Sequence, residues 1–258
     1  NFLNEFLFYF PASKKYLAPS KFGTRFGFPP PIYTDYYGLF ITGYNIDGKR
    51  KAFAEIKYIE PIEAKYSTDE MYIDVRFDKE DFTKTNIKLD RKMNGYYAMA
   101  IQPFMKLIPA DRKNEIIDDG FAKSIDKNGE IQSREIINED PNLFGLKPFE
   151  LKFEINSEYF VEKAGNKYLF KIGDLIGPQM EMYQEKKRVL PLEAEFNRSY
   201  YRTIKVSIPE GYRISNLEDY SSRASVRRVI LKENLIEYKC SECNVKTWNG
   251  KILSLHLD

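Results

Sequence analysis

The chain has 258 residues, and its 40 lysines and arginines against 38 aspartates and glutamates give a formal net charge of +2. This near balance argues against a general nucleic-acid binder, which normally carries a clear basic excess. No apolar run approaches the roughly 18 residues of a spanning helix, so we expect no transmembrane segment. A single histidine, His256, and two cysteines exclude most histidine-based catalysis, most zinc sites and a disulfide-held scaffold.

The first ten residues are very apolar for a chain terminus. Phe6, Phe8 and Phe10 favour burial, so this run predicts a core strand. Because the sequence also starts with Asn1 and not with methionine, we expect it to begin inside a folded domain. Residues 252–258 alternate in polarity and predict a strand at the other end.

Short aromatic or alternating runs, separated by turn residues, recur along the chain. Asp47-Gly48 lies between two of them and predicts a β-hairpin of residues 38–46 and 51–56. Further strands are predicted at residues 70–77, 95–101, 149–155, 167–172, 202–208, 226–232 and 235–239. This pattern, with 15% aromatic residues, predicts a mainly β fold in the form of a β-sandwich.

Two segments depart from the strand pattern and predict short helices. The first lies within residues 103–121, with Asp111 as its N-cap. The second runs from Gln179 to Lys187. We therefore expect a β-sandwich with one or two short helices.

Two stretches have the composition of linkers. One is the proline run at residues 29–31, and the other covers residues 60–68. We place a domain boundary in the second stretch, which divides the chain into residues 1–62 and 63–258.

Cys240 and Cys243 form a single Cys-x-x-Cys pair. One pair and one distant histidine do not make a zinc ligand set, and the pair follows a strand-like run instead of opening a helix as a redox motif does. The sequence therefore predicts two ordinary cysteines that are able to form a disulfide bond. It predicts no metal site and no cofactor.

Residues 26–37 form an aromatic, proline-rich run that contains candidate ligand-binding side chains. These candidates are Tyr33, Tyr36 and Tyr37. Aromatic faces stack on flat apolar surfaces, so these tyrosines, or Tyr96 and Tyr97, are candidates for a sugar-binding platform. The alternative, which the sequence favours, is a loop that covers a core with its own aromatic side chains.

Two stretches resemble bacterial envelope proteins that contain a transglutaminase-like domain of the papain-like Cys–His–Asp class. Residues 3–11 and 16–20 are similar to the end of that domain, where Phe-Asn-His, an apolar strand and a proline precede Tyr-Leu-Asp-Pro-Thr. The second stretch covers residues 173–179, 183–188, 190–191 and 208–212. It is similar to the β-rich domain of unknown function that follows the transglutaminase-like domain in those proteins. The resemblance implies that residues 1–62 are the C-terminal remnant of the transglutaminase-like α+β domain.

The resemblance implies a degenerate catalytic site. Glu5 stands where the family has the histidine that activates an upstream cysteine, and Ala18 stands where it has the aspartate that orients this histidine. A carboxylate is a weak base, and an anion beside a thiol raises the pKa of that thiol. No intact catalytic residue is therefore expected.

The resemblance thus predicts a non-catalytic binding or scaffolding part of a degenerate transglutaminase-like protein, located in the periplasm or cell envelope. Its expected partners are upstream domains of the same polypeptide and an envelope protein or glycan, without nucleic acid. Two alternatives stay open. One is a cysteine peptidase or transglutaminase in which Glu5 serves as the base for a cysteine outside this chain, and the other is a carbohydrate-binding module.

Overall fold

The computed structural model describes residues 5–177, 189, 194–216, 227–232, 235–241 and 253–257, the last three ranges by their backbone alone. Among the described residues, far more lie in strands than in helices, which confirms the mainly β fold with few helices. The predicted helix at residues 179–187 lies outside the described residues. The division of the chain at residue 62 stays a prediction.

Fifteen strands and two α-helices make up the described part of the chain. The strands are β1 Phe8–Phe10, β2 Lys15–Leu17, β3 Tyr36–Ile46, β4 Lys49–Ile59, β5 Thr68–Phe77, β6 Thr85–Met93, β7 Glu130–Ile137, β8 Phe149–Ser157, β9 Val161–Ala164, β10 Lys167–Phe170, β11 Ser199–Ser207, β12 Tyr212–Ile214, β13 Arg227–Lys232, β14 Leu235–Ser241 and β15 Leu253–Leu257. The α-helices are α1 Tyr96–Met99 and α2 Ala110–Ile117, and a single π-helical turn, Asp118–Ala122, follows α2. Short 3₁₀ turns lie at Pro31–Tyr33, Ala64–Tyr66, Gln102–Phe104, Pro141–Leu143 and Ile172–Ile176.

The strands form four sheets. The largest has seven strands in the order β13-β14-β11-β5-β6-β8-β7, in which only β11 and β5 run parallel. A four-stranded sheet has the order β12-β15-β10-β9, and β1-β2 and β3-β4 are separate two-stranded sheets. The predicted strand at residues 252–258 is confirmed as β15.

The seven-stranded sheet buries one face. Its central strands alternate apolar and polar residues, which places every second side chain on the buried side. The apolar side chains of these strands that are exposed by 2% or less are Ile73, Val75, Ile87, Leu89, Phe149, Leu151, Ile155, Ile204 and Val206. Ile117 of α2 and Phe170 of β10 belong to the same hydrophobic cluster, so the helical segment and the four-stranded sheet help to cover this face.

Residues 95–101 form a helical segment, so the prediction of a strand there was wrong. Asn94-Gly95 does not connect two strands, because Gly95 is the N-cap of α1 with φ +57°. Tyr96 and Ala98 of α1 are buried, and the Tyr96 hydroxyl donates a hydrogen bond of 2.8 Å to the Pro29 carbonyl. These long-range contacts decide the local conformation.

The predicted first helix is confirmed, but it is shorter and begins differently. Pro109 is the N-cap of α2, and Asp111 lies in its first turn, so the prediction of Asp111 as the N-cap was wrong. The helix begins one residue before Asp111 because the extended Pro109, with ψ 137°, ends the preceding segment. The Asp111 carboxylate there still stabilises the positive end of the helix dipole.

The apolar N-terminal run is largely exposed, so the prediction of a core strand was wrong. β1 has three residues, and Phe6, Phe8 and Phe10 are 52%, 52% and 40% exposed. Within the described residues β1 pairs with β2 alone, so the faces of this short strand are not enclosed between sheets.

The predicted hairpin at Asp47-Gly48 is confirmed and is longer than expected. β3 and β4 have eleven residues each and pair in register from Tyr36–Ile59 to Ile46–Lys49. Asp47 and Gly48 have φ of 50° and 74°, the left-handed conformation that a two-residue hairpin turn requires. The hairpin therefore owes its register to its turn.

Candidate functional site

One face of the β3–β4 hairpin is anchored at its base. Residues opposite each other on paired antiparallel strands share a face, and Phe40 lies on the face that contacts the β1-β2 sheet. The Phe40 ring packs edge-to-face against Tyr9, with ring centroids 5.4 Å apart, and against Tyr16 at 6.4 Å. The Lys57 ammonium lies 5.6 Å from the centre of the same ring. These aromatic contacts fix the hairpin on the N-terminal segment.

The opposite face, which we term the outer face, is apolar and exposed. Its register pairs are Tyr37–Tyr58, Leu39–Ile56, Ile41–Ala54 and Gly43–Ala52. Exposure of its large side chains ranges from 41% at Tyr58 to 75% at Tyr37. An isolated two-stranded sheet is at best marginally stable in water, and a contiguous apolar patch on a surface usually marks an interaction site.

A cavity of about 750 Å³ runs beside this hairpin, and we term it the β3 groove. Its two walls are residues 36–43 of β3 and residues 5–9 of the N-terminal segment. The remaining lining residues are Pro11, Tyr16, Ile32, Tyr33 and Ile59. The candidate residues Tyr33, Tyr36 and Tyr37 all line this groove, so the structure brings them together.

The β3 groove follows the edge of β3 that faces away from β4. Eight consecutive residues of β3 line it, although successive side chains of a strand point to opposite faces. β4 contributes Ile59 alone, whereas a groove on either face of the hairpin would include several β4 residues. The groove therefore gives access to backbone N–H and C=O groups of β3.

Glu5 lies at the groove and is held in an ion pair. The Lys21 ammonium donates a hydrogen bond of 2.5 Å to the Glu5 carboxylate. This hydrogen bond, followed by one with Tyr33, lowers the pKa of Glu5. A lower pKa makes this carboxylate a weaker base, which disfavours the alternative in which Glu5 activates a cysteine.

Ala18 is close to the same ion pair and offers no polar side chain. It is 2% exposed, and its carbonyl accepts hydrogen bonds from the Lys21 amide at 3.2 Å and the Thr24 hydroxyl at 3.1 Å. Lys21 thus contacts Ala18 through its backbone and Glu5 through its ammonium group. Glu5 and Ala18, the two positions predicted from the resemblance, are thus linked only through Lys21, and they hold an ion-paired carboxylate and a buried methyl group.

The histidine and the cysteines lie near the opposite end of the sequence from Glu5 and Ala18. His256 lies in β15, where its backbone is paired with Lys167 and Arg213. Cys240 lies in β14, opposite Arg202 in the register of β11. Cys243 lies outside the described residues, so a Cys240–Cys243 disulfide stays a prediction.

Tyr96 and Tyr97 do not form an exposed platform. Tyr96 is 4% exposed, and its burial raises its pKa. The Tyr97 ring packs against Phe196 and Tyr200, with centroids 5.4 Å and 5.7 Å apart. The suggestion of a sugar-binding platform at this pair was therefore wrong, because the rings contribute to packing.

No protein-family model, curated protein or solved structure matches this chain in the comparisons. Within the described ranges, no group of three or more histidine, cysteine, aspartate or glutamate side chains is placed to hold a metal ion. No helix in the described part of the chain has the length and apolar character needed to span a bilayer.

Replacing Lys21 by methionine tests whether the Lys21–Glu5 ion pair lowers the pKa of Glu5. We expect the pKa of Glu5 to rise toward its ordinary value, because the largest cause of its lowering is lost while the length of the side chain is kept. Carboxyl-carbon NMR titration of Glu5 measures this. Lys65→Met is the control, because it removes an exposed ion pair with Glu63 and should leave the titration of Glu5 unchanged. An unchanged Glu5 titration would show that Lys21 does not hold this carboxylate.

Proposed function

We propose that this chain is a non-catalytic binding and scaffolding part of a degenerate transglutaminase-like envelope protein. Its partner would be held in the β3 groove. The observation that carries the proposal is that Glu5, which lines the groove, is bound to Lys21, and that the other predicted position, Ala18, is a buried methyl group. An ionised carboxylate in an ion pair and a methyl group supply neither a base suited to a thiol nor a group to orient one.

The size and character of the β3 groove support the binding part of the proposal. Its volume of about 750 Å³ lies within the range of roughly 300–1,000 Å³ that is common for ligand sites. Most of its lining is aliphatic or aromatic. Buried apolar contact with a partner would also compensate for the exposed, two-stranded β3–β4 sheet.

The carbohydrate-binding alternative has one observation in its favour. Tyr36 and Tyr37 are 64% and 75% exposed at the groove, so their rings are free to stack on a sugar. The same rings serve equally well against an extended peptide. Parallel screens with the two ligand classes separate these alternatives.

We would screen the purified chain against a phage-displayed library of linear random peptides and against a glycan array. Ile41→Lys places a charge in the β3 groove, and Ile56→Lys places the same charge on the same hairpin outside it. Ile41 and Ile56 are 63% and 72% exposed, so neither substitution disturbs a core. We expect ligands that bind the parent chain and Ile56→Lys but lose at least tenfold in affinity for Ile41→Lys.

The catalytic alternative is tested on the protein in its full natural length. Incubation with a glutamine-containing peptide and a primary amine is expected to give no cross-linked or hydrolysed product. Thiol-dependent turnover that disappears with Glu5→Gln would overturn the proposed function. A complete absence of groove ligands in both screens would overturn its binding part.

A further inference from the structure

We propose that the β3 groove binds an extended polypeptide segment, which adds to the free edge of β3 as a third strand and carries acidic residues at the end nearest the hairpin turn. This inference rests on the proposed function and names the partner class of the same site. It goes beyond that function because it assigns the backbone of β3, as well as the tyrosine side chains, to recognition.

The first argument is the free edge itself. Within the described residues β3 pairs with β4 alone, so along its other edge alternate residues present N–H and C=O groups to the groove. Eight residues of β3 line the groove, which corresponds to roughly 27 Å at about 3.4 Å per residue. An extended segment of similar length would pair with this edge, and its alternate side chains would contact the two walls.

The second argument is charge. The strand after the turn begins with Lys49, Arg50 and Lys51, all of which are exposed. Among the described residues none of these three cations has an ion-pair partner, whereas Lys57 on the same strand is paired with Glu55. The groove wall formed by residues 5–9 has a single charge, Glu5, which Lys21 neutralises. Acidic side chains are therefore expected only at the turn end of the bound segment.

The open edge also argues against a lipid surface as the occupant. The outer face and its basic turn suit an anionic membrane in composition, but an unpaired strand edge in hydrocarbon leaves N–H and C=O groups without partners. A peptide strand satisfies these groups, and antiparallel addition is the slightly more stable arrangement. Its N-terminal end would then lie beside the turn.

The probes are the linear peptides enriched on the parent chain in the phage screen. We expect these peptides to alternate apolar with polar residues and to carry acidic residues toward the N-terminus. Two N-methylated forms of each peptide test strand addition: one is methylated at the odd-numbered amides and the other at the even-numbered amides. Only the amides that face β3 donate hydrogen bonds to it, so only one of the two forms should lose these bonds. Methylation in one of the two registers is expected to lower affinity at least tenfold, while the other register is tolerated. Hydrogen exchange should slow at alternate amides of residues 36–43.

A triple substitution tests the predicted acidic end of the bound peptide. Replacing Lys49, Arg50 and Lys51 together by serine is expected to weaken peptide binding about fivefold and to reduce its dependence on salt, because screened attraction is lost. Lys65→Ser is the control, because Lys65 does not line the groove and is paired with Glu63, and it should leave the salt dependence unchanged. An unchanged salt dependence in the triple variant would remove the acidic end from the inference.

Other outcomes would overturn the inference while leaving the proposed function intact. These are groove-dependent binding of glycans without peptides, and peptide binding that tolerates methylation in both registers. Sedimentation with phosphatidylglycerol vesicles that is lost in the triple serine variant would identify a membrane as the occupant. A dimer in analytical ultracentrifugation that dissociates with Ile41→Lys would identify a second copy. A lack of any groove ligand would instead contradict the proposed function.

Discussion

Replacing Asp69 by asparagine is expected to destabilise the fold by about 3–5 kcal/mol, the usual cost of breaking a buried ion pair from one side. Asp69 is 1% exposed and lies on the buried face of the seven-stranded sheet. Arg91 donates to its two carboxylate oxygens at 2.8 Å and 3.0 Å, and Arg202 donates to it at 2.6 Å. Asparagine keeps the size of the side chain but leaves both guanidinium groups facing a neutral amide.

The pH dependence of the same variant gives a second measurement. Burial alone would raise the pKa of Asp69, but the charges of Arg91 and Arg202 outweigh it and lower this pKa below the ordinary value. The folded state therefore binds this proton less readily than the unfolded state. The carboxylate contributes stability above its unfolded pKa of about 3.9, and this contribution is lost as the pH falls through the lower folded pKa.

Urea unfolding at neutral and acidic pH measures both effects. The difference in unfolding free energy between the parent chain and Asp69→Asn is expected to be largest at neutral pH and to narrow as the pH falls below about 4. Asp119→Asn is the matched control, because its partner Lys123 lies 2.7 Å away on the surface and the pair is about half exposed. Equal destabilisation by the two substitutions would contradict a special role for the buried group.

This ion pair also shows why part of the sheet could not be predicted from the sequence. The predicted strands do not include β6, although it is a central strand of the largest sheet. Ile87, Leu89 and Met93 are buried on one face, but Arg91 interrupts the apolar alternation between them. Its charge is compatible with that face only because Asp69, 22 positions earlier in the chain, lies beside it. A local pattern does not contain that information.

The β3–β4 hairpin and β5 were predicted correctly, because their signals are local. The β3–β4 hairpin follows from Asp47-Gly48, since few residues other than glycine, asparagine and aspartate adopt a left-handed conformation at such a turn. The core face of β5 follows from the alternation of Met71, Ile73 and Val75. In both cases the deciding interactions are close in sequence or repeat along a single strand.

The sequence named the tyrosines of the β3 groove as candidates, although it favoured a loop that covers a core, and it did not predict the backbone edge. Tyr33, Tyr36 and Tyr37 were identified from their aromatic character and do line the β3 groove. The free edge of β3 and the contact of Lys21 with Glu5 depend on which segments the fold places together.

Replacing Gly95 by alanine is expected to destabilise the fold by about 3–5 kcal/mol, from steric overlap together with backbone strain. Gly95 has φ +57°, ψ −131°, a conformation that residues with a side chain rarely adopt. An added Cβ would overlap the Tyr66 carbonyl oxygen and lie only 2.6 Å and 2.9 Å from the Ser67 hydroxyl oxygen and Cα. Most of these atoms belong to the backbone and have little room to move.

The overlap would separate two segments that meet at this glycine. The Ser67 hydroxyl accepts a hydrogen bond from the Tyr96 amide at 3.3 Å, and Asn94 donates to the Thr68 hydroxyl at 3.0 Å. Displacing α1 from the start of β5 would weaken both bonds. It would also shift Tyr96, whose ring fills the core. The loss should therefore appear as a lower midpoint of cooperative unfolding.

Gly120→Ala is the matched control for this substitution. Gly120 has no positive φ, and a methyl group added there would have no atom within 4 Å; the residue lies in the helical turn Asp118–Ala122. Alanine there is expected to stabilise the fold by about 0.5–1 kcal/mol, because it restricts the unfolded chain and favours helix. Thermal and urea unfolding of the two variants compare the same chemical change at two glycines. Similar effects of the two would show that close backbone approach at Gly95 does not specify the junction between α1 and β5.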